Sequence, residues 1–109
     1  MNFNVVVTAP FERKLKRLAK KYNSIRYDLG VVIEELSQNP NLGIPLGNNC
    51  YKIRVAITSK KRGKSGEARL ITYVRVLKNT IYLMDIYDKS EIETFSISEL
   101  QMIIDTLSE

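Results

Sequence analysis

Hydrophobic residues recur along this chain with two different periods, and each period predicts a different kind of element. A short valine-rich run from Phe3 to Thr8 predicts a strand. Apolar residues then recur every three to four positions from Phe11 to Tyr22 and from Ile25 to Leu36, which predicts two helices. Because only Asn23 and Ser24 separate these helices, we expect an antiparallel helical hairpin.

The period changes to two at Tyr51 and so predicts strands in the second half of the chain. The segment before it, Asn41 to Asn49, has the composition of a loop. A final helix is predicted from Ile97 to Leu107. The predicted strands are Tyr51–Thr58, Ala68–Val76 and Thr80–Tyr87. The order β-α-α-β-β-β-α predicts an α+β fold, with the helical hairpin packed on a mostly antiparallel four-stranded sheet and the helices on one face.

The composition limits the chemistry that this chain can perform. Its 109 residues predict a single domain, residues 1–109, with one cysteine, Cys50, and no histidine. An internal disulfide, a histidine general base and a Ser-His-Asp triad are therefore excluded, and we expect no metal and no cofactor. We interpret Cys50 as an inert, partly buried thiol. No apolar run is long enough for a membrane span and the N-terminus does not resemble a signal peptide, so we expect a cytoplasmic protein.

Positive charge is concentrated in the first 80 residues. They carry 16 Lys and Arg against 5 Asp and Glu, a net charge of +11, whereas residues 81–109 carry a net charge of −6. The densest run has four cations within five residues: Lys60, Lys61, Arg62 and Lys64. Six more line the polar side of the first predicted helix: Arg13, Lys14, Lys16, Arg17, Lys20 and Lys21. Such a basic body predicts a polyanionic partner, although solvated charges would give the same pattern.

The order of elements and three strand segments resemble one family of bacterial proteins. Those segments are Tyr51–Arg54, Ala68–Tyr73 and Ile81–Tyr87, and with the basic helical hairpin they are similar to the RelE/ParE superfamily of toxins. The resemblance covers nearly the whole chain and implies a toxin with an acidic antitoxin partner. RelE-like members cleave mRNA on the ribosome, whereas ParE-like members inhibit DNA gyrase.

The resemblance also implies where the chemistry lies. In RelE-like members, cations on the sheet and a group after the last strand carry the reaction. By position, Lys52, Arg54 and Arg69 match the sheet cations, and the segment Tyr87–Glu91 matches the group after the strand. Family members often have an arginine, a histidine or a terminal tyrosine there, whereas the nearest residues in this chain are Lys89, Ser90 and Phe95.

Metal-free cleavage of RNA needs a base for the 2′-hydroxyl, a fixed positive charge at phosphorus and an acid for the 5′-oxygen. Arginine suits the phosphate, and a lysine crowded by other cations can act as a base. The predicted catalytic residues are Lys52, Arg54, Arg69 and Lys89, with Lys52 or Lys89 transferring the proton. Other candidates for proton transfer are Tyr73, Tyr87, Asp85, Asp88 and Glu91. The predicted RNA-binding residues are Lys60, Lys61, Arg62, Lys64, Tyr73 and Tyr87.

Each of these residues has a structural alternative. Lys52 and Arg54 could form only the solvated side of the sheet, Arg69 could pair with Asp85 across the strands, and the tyrosines could be packing residues. The segment Asp88–Glu91 could be a polar turn. Besides a ribosome-dependent mRNA endonuclease, the sequence leaves open a gyrase inhibitor, a catalytically inactive member of the fold and a plain nucleic-acid-binding domain.

Overall fold

The segments with regular hydrophobic periods form helices and strands in the structure. The computed structural model describes residues 2–59, 66–91 and 97–107. Within these ranges, the strands are β1 (Asn4–Val7), β2 (Ile44–Gly47), β3 (Cys50–Ala56), β4 (Glu67–Arg75) and β5 (Thr80–Asp88). The helices are α1 (Ala9–Lys21), α2 (Ile25–Gln38) and α3 (Ile97–Thr106), and a 3₁₀ turn at Val76–Lys78 joins β4 to β5. None of the helices in these ranges is long and apolar enough to cross a membrane.

The strands form one mixed sheet in the order β1-β5-β4-β3-β2. β1 pairs with β5 in parallel, and the other three pairs are antiparallel. The predicted α+β class and the mostly antiparallel sheet are therefore confirmed. The sheet has five strands among the described residues, however, rather than the four that the sequence predicted.

The additional strand, β2, lies inside the segment Asn41–Asn49, where a loop was predicted. Gly47, Asn48 and Asn49 have φ angles of 92°, 54° and 64°, and this left-handed backbone returns the chain onto β3 as a hairpin. Pro45 is tolerated because β2 is at the edge of the sheet, where a missing N–H breaks no ladder. The turn residues were identified correctly, but they connect two paired strands.

Both faces of the sheet are covered. The helices α1 and α2 pack on one face, the hairpin face, and the prediction for this hairpin is confirmed. The opposite face, which we call the α3 face, buries Leu100 and Ile104 of α3 against Ile71 and Met84. The prediction that all helices share one face is therefore wrong for α3. The reason is that β4 and β5 carry apolar residues on both sides and need cover on both.

Two buried carboxylates of β5 fix α1 to the sheet. Lys14 Nζ lies 2.8 Å from Asp85 Oδ1, and Lys21 Nζ lies 3.6 Å from Asp88 Oδ2. The hydroxyl of Tyr22, directly after α1, also donates a hydrogen bond to Asp88. Asp85 follows a β-bulge, because the register with β4 skips one residue of β5 between Leu83 and Asp85. α1 therefore cannot slide along β5 without breaking these contacts.

A third buried carboxylate, Asp28 of α2, joins the helical hairpin to the end of β3. It accepts hydrogen bonds from Ser24 Oγ at 2.7 Å, from the backbone N–H of Thr58 at 3.0 Å and from Thr58 Oγ1 at 2.9 Å. Ser24 Oγ in turn accepts a hydrogen bond from the backbone N–H of Ser59 at 2.8 Å. These bonds fix the chain immediately before the basic run that begins at Lys60.

Replacing Asp28 removes the acceptor that these groups share. We expect Asp28→Ala to lower the free energy of unfolding by about 1–3 kcal/mol, because its donors lose their partner in a buried environment. Urea unfolding at neutral pH measures the change. Glu34→Ala, at an exposed position of the same helix, is the matched control and should stay within about 0.5 kcal/mol of wild type. Equal stability of the two variants would contradict this role of Asp28.

Candidate nucleic-acid interface

The predicted cations of β3 and β4 lie on the α3 face of the sheet. Ile53 and Val55 of β3 are buried on the hairpin face, so Lys52 and Arg54, which alternate with them, face the opposite way. Arg69 of β4 lies directly opposite Arg54 in the register of the two strands. The three cations therefore share one face, which is the arrangement that an anion site requires.

A carboxylate stabilises this arrangement of like charges. Arg54 and Arg69 are opposed across the strand pair, and like charges at such positions destabilise a sheet. Glu67 lies two residues before Arg69 on the same face, and its Oε1 is 2.5 Å from Arg69 Nη1. The side chains of Arg69 and Glu67 are only 16% and 25% exposed. This partly buried ion pair offsets the repulsion between the two arginines.

Lys89 brings a further cation to the same carboxylate. Its backbone N–H donates to the carbonyl oxygen of Glu67 at 2.9 Å. The hydrogen bond from Arg69 lowers the pKa of Glu67, partial burial opposes this, and the charges of Arg69, Lys89 and Arg54 lower the pKa further. We call these four residues the cation cluster: Arg54, Arg69, Lys89 and Glu67. Three positive charges and one negative charge leave it with a net positive charge.

Lys52 lies beside the cation cluster. It is half-buried on the same face as Arg54, two residues away along β3, which corresponds to roughly 7 Å. A cleft of about 340 Å³ at this edge of the sheet is lined by both residues together with parts of α2 and β2. A long lysine side chain at this position is near enough to serve a ligand that the cluster binds.

The structure separates the two tyrosines that were predicted to bind RNA. Tyr87 lies opposite Arg69 in register, but it is buried under α3 with 7% of its surface exposed. Tyr73 is half-buried farther along β4, with its ring centroid 6.0 Å from that of Tyr82. The guanidinium of Arg75 lies 5.8 Å from the Tyr73 ring centroid. Packing therefore accounts for Tyr87, whereas Tyr73 remains partly accessible.

Two carboxylates considered for proton transfer bind α1 instead. Asp85 and Asp88 contact lysines of that helix, so they do not belong to the cation cluster. The alternative in which Arg69 pairs with Asp85 is wrong, since Arg69 binds Glu67 and Asp85 binds Lys14.

The segment after β5 forms the polar turn that was one of the alternatives. The backbone N–H of Ser90 donates to Asp88 Oδ1 at 3.0 Å, and the backbone N–H of Glu91 donates to the Asp88 carbonyl at 2.8 Å. Lys89 is exposed at this turn. The turn therefore holds Lys89 at the end of β5, where its charge acts on Glu67.

The remaining predicted cations, Lys60, Lys61, Arg62 and Lys64, lie outside the described residues, as does Phe95. The structure does define where the basic run begins and ends. Ala56 and Glu67 are register partners, and the backbone N–H of Ile57 donates to the Gly66 carbonyl at 2.9 Å. The described residues on either side of the run therefore lie at the same end of the sheet as the cation cluster.

Glu67 is a member of the cluster that sequence reasoning missed. It lies three residues after the basic run, where a single acid near many cations is easily overlooked. The signal that could have identified it is the period of two. Residues 67 and 69 share one face of a strand, so an acid two positions before an arginine is placed to bind it.

Comparison with known proteins agrees with this architecture. No family model matches the sequence. In three dimensions the chain is similar to E. coli toxin RelE, whose structure was solved for a double arginine-to-alanine mutant in the free state. The sequence identity is 19%, the TM-score is 0.60, and the alignment covers 98% of this chain and 100% of that chain. The two proteins share a fold.

Within this RelE-like fold, Cys50 lies in the core of the α3 face. It is 2% exposed, and burial raises the pKa of its thiol, which agrees with the interpretation of an inert residue. Across the described parts of the chain, no group of three or more Cys, Asp or Glu side chains is arranged to hold a metal ion.

The lowered pKa of Glu67 predicts a pH dependence of stability. The ionised carboxylate contributes fully above the ordinary glutamate pKa of about 4.3, and its contribution is lost as the pH falls through the lowered pKa of the folded state. We therefore expect Glu67→Gln to flatten the loss of stability between about pH 5 and pH 3, measured by urea unfolding. Glu34→Gln, at an exposed site on α2, is the control. Parallel curves for wild type and Glu67→Gln would show that the Arg69 pair adds no stability.

Proposed function

We propose that this protein is the toxin of a toxin–antitoxin pair and that it cleaves mRNA on the ribosome without a metal ion. The observation that carries the proposal is the cation cluster, in which Arg69 contacts the Glu67 carboxylate and Arg54 and Lys89 from two other chain segments add positive charge near it. Fixed positive charge of this kind stabilises a phosphate most strongly when it carries extra negative charge in the transition state. The fold shared with E. coli toxin RelE supports the proposal.

In the proposed reaction, the 2′-oxygen of one nucleotide attacks the adjacent phosphorus and the bond from phosphorus to the 5′-oxygen breaks. Arg54 and Arg69 bind the phosphate oxygens. Arg69 uses one N–H donor on Glu67 and keeps its other donors for the phosphate. Of Lys52 and Lys89, one accepts the proton of the 2′-hydroxyl and the other protonates the leaving 5′-oxygen. The products are a cyclic phosphate and a free 5′-hydroxyl.

The bound RNA would extend from the cluster in two directions. Tyr73 lies farther along β4 and offers a ring for contact with a base. At the other end, the basic run Lys60–Lys64 connects β3 to β4 in the sequence and would contact neighbouring phosphates. The same concentration of positive charge suits an acidic antitoxin that binds this face and competes with RNA. The protein would act in the cytoplasm, where the ribosome and mRNA are found.

A second candidate function is a member of this fold that has lost nuclease activity or that inhibits DNA gyrase. Two features favour it: Glu67 takes up part of the positive charge of Arg69, and the sequence has no histidine to transfer a proton. Measuring DNA supercoiling by purified gyrase distinguishes a gyrase inhibitor from an inactive member of the fold. Unchanged supercoiling in the presence of excess protein removes the gyrase version.

Substitution of Arg69 tests the proposed reaction directly. We expect Arg69→Ala to reduce the rate of mRNA cleavage by about 10²–10³-fold, because a donor to the transition-state phosphate is lost. Cleavage is followed by primer extension on message recovered from an in vitro translation reaction. Arg26→Ala, at an exposed site on α2, removes the same charge elsewhere and should leave the rate unchanged.

Wild-type protein provides the decisive measurement. If translation proceeds fully and the message stays intact with protein in excess over ribosomes, the nuclease proposal fails. If cleavage occurs but Arg69→Ala and Arg26→Ala behave alike, the reaction does not use the cation cluster.

A further inference from the structure

We propose that the outward surface of α1 binds the sugar–phosphate backbone of a nucleic-acid duplex, at a site separate from the cation cluster. Four exposed cations form this surface, which we call the α1 stripe: Arg13, Lys16, Arg17 and Lys20. Their spacing of three, four and seven residues keeps them on one side of the helix. The opposite side buries Phe11, Leu15 and Leu18 in the core. The stripe extends about 10 Å along the helix axis.

The two buried carboxylates of β5 that contact α1 bind lysines outside the stripe. Asp85 and Asp88 bind Lys14 and Lys21, which lie at the edge of the helix toward β5. Within the described parts of the chain, no member of the α1 stripe forms a salt bridge. The acid on α1 itself is Glu12, a half-buried residue in the first turn. The stripe thus presents four charges to solvent.

The fold does not account for this concentration of charge. Like charges three or four residues apart destabilise a helix, and the stripe contains four such pairs. The buried side of α1 and the two lysine contacts to β5 already hold the helix in place. A local arrangement that lowers stability without serving the core is expected at a functional surface.

One end of the stripe has a shape suited to a phosphate group. Pro10, Arg13, Lys14 and Arg17 line a depression of about 330 Å³ on the protein surface. Two guanidinium groups at its wall provide the forked donors that bind phosphate oxygens bidentately. Lys16 and Lys20 continue the positive surface along the helix toward neighbouring phosphates.

The chemistry of the stripe favours a duplex backbone over other polyanions. Protein interfaces place apolar or aromatic residues at their centre, and single strands are held by aromatic rings that stack on bases. The four members of the stripe are all cations and include neither kind of residue. Regularly spaced phosphates on the outside of a duplex need only charge and hydrogen-bond donors.

The stripe and the cation cluster cannot serve one short strand at once. α1 covers the hairpin face of the sheet, whereas Arg54 and Arg69 lie on the α3 face. Two separate segments of nucleic acid are therefore needed to occupy both. This property makes the α1 stripe testable whether or not the protein cleaves RNA.

Fluorescence anisotropy over a series of salt concentrations tests the proposal, with a labelled RNA duplex, a DNA duplex of the same sequence and the single RNA strand as probes. The test variant combines Arg13→Gln, Lys16→Gln, Arg17→Gln and Lys20→Gln. For a duplex, each phosphate contact contributes about −0.9 to the slope of a plot of the logarithm of the association constant against the logarithm of the salt concentration. We expect the variant to reduce that slope by about 2–4 and to bind the duplex at least about tenfold more weakly at low salt.

Matched controls separate a site from overall charge. Arg13→Gln with Arg17→Gln is compared with Arg26→Gln and Lys78→Gln, two exposed cations elsewhere that remove the same net charge. The substitutions at Arg13 and Arg17 should weaken duplex binding clearly more than those at Arg26 and Lys78. Circular dichroism and urea unfolding confirm that the variants fold. A stronger response with the RNA or the DNA duplex identifies the natural partner.

Several outcomes would overturn the proposal. The slope could be unchanged in the fourfold variant, the two double variants could lose equal affinity, or the fourfold variant could lose binding only to an acidic polypeptide such as polyglutamate. Failure of the proposed nuclease function is distinguishable. It would appear as intact mRNA with wild-type protein, while duplex binding through the α1 stripe would still be measured.

Discussion

The salt bridge between Lys14 of α1 and Asp85 of β5 fixes the position of α1 on the sheet, and with it the direction that the α1 stripe faces. The Asp85 side chain is fully buried and the Lys14 side chain is 18% exposed, so loss of the lysine would leave a charged group in a poorly hydrated environment. Together with the contact between Lys21 and Asp88, it sets the rotation of α1 about its axis. Apolar residues then face the core and the remaining cations face solvent. Because β5 lies between β1 and β4, the same contacts position the helix over β5, next to the edge strand β1.

Most of the fold could be predicted because its long elements have one clear hydrophobic period. β2 could not, since a four-residue edge strand that contains Pro45 and Gly47 has the composition of a loop. Its pairing is determined by the left-handed conformations of Asn48 and Asn49. The position of α3 could not be predicted from the sequence either. A helix with one apolar stripe fits either face of a sheet, and here the hairpin of α1 and α2 leaves only one face free.

The candidate site also contains some features that the sequence predicts and others that it does not. The shared face of Lys52, Arg54 and Arg69 follows from alternation along strands, so it could be predicted. The burial of Tyr87 depends on α3, and the partner of Asp85 depends on a bulge that shifts the register of β5 against β4. Such features arise from pairing and packing between distant segments, which a local pattern does not contain. The basic run at Lys60–Lys64 lies outside the described residues, so its prediction stands untested.

The opposed arginines of β3 and β4 give the cation cluster its physical significance. A sheet selected for stability alone would place a carboxylate or an apolar residue opposite Arg54, yet the register places Arg69 there. Glu67 satisfies one guanidinium, and Lys89 adds another positive charge to the same small area. An anion that enters the cluster relieves repulsion that the folded chain otherwise retains, so its binding is favoured both by new contacts and by the relief of existing strain. The relief of repulsion depends on charge and register alone, so it is the same for a phosphate of RNA and for a carboxylate of an acidic protein partner.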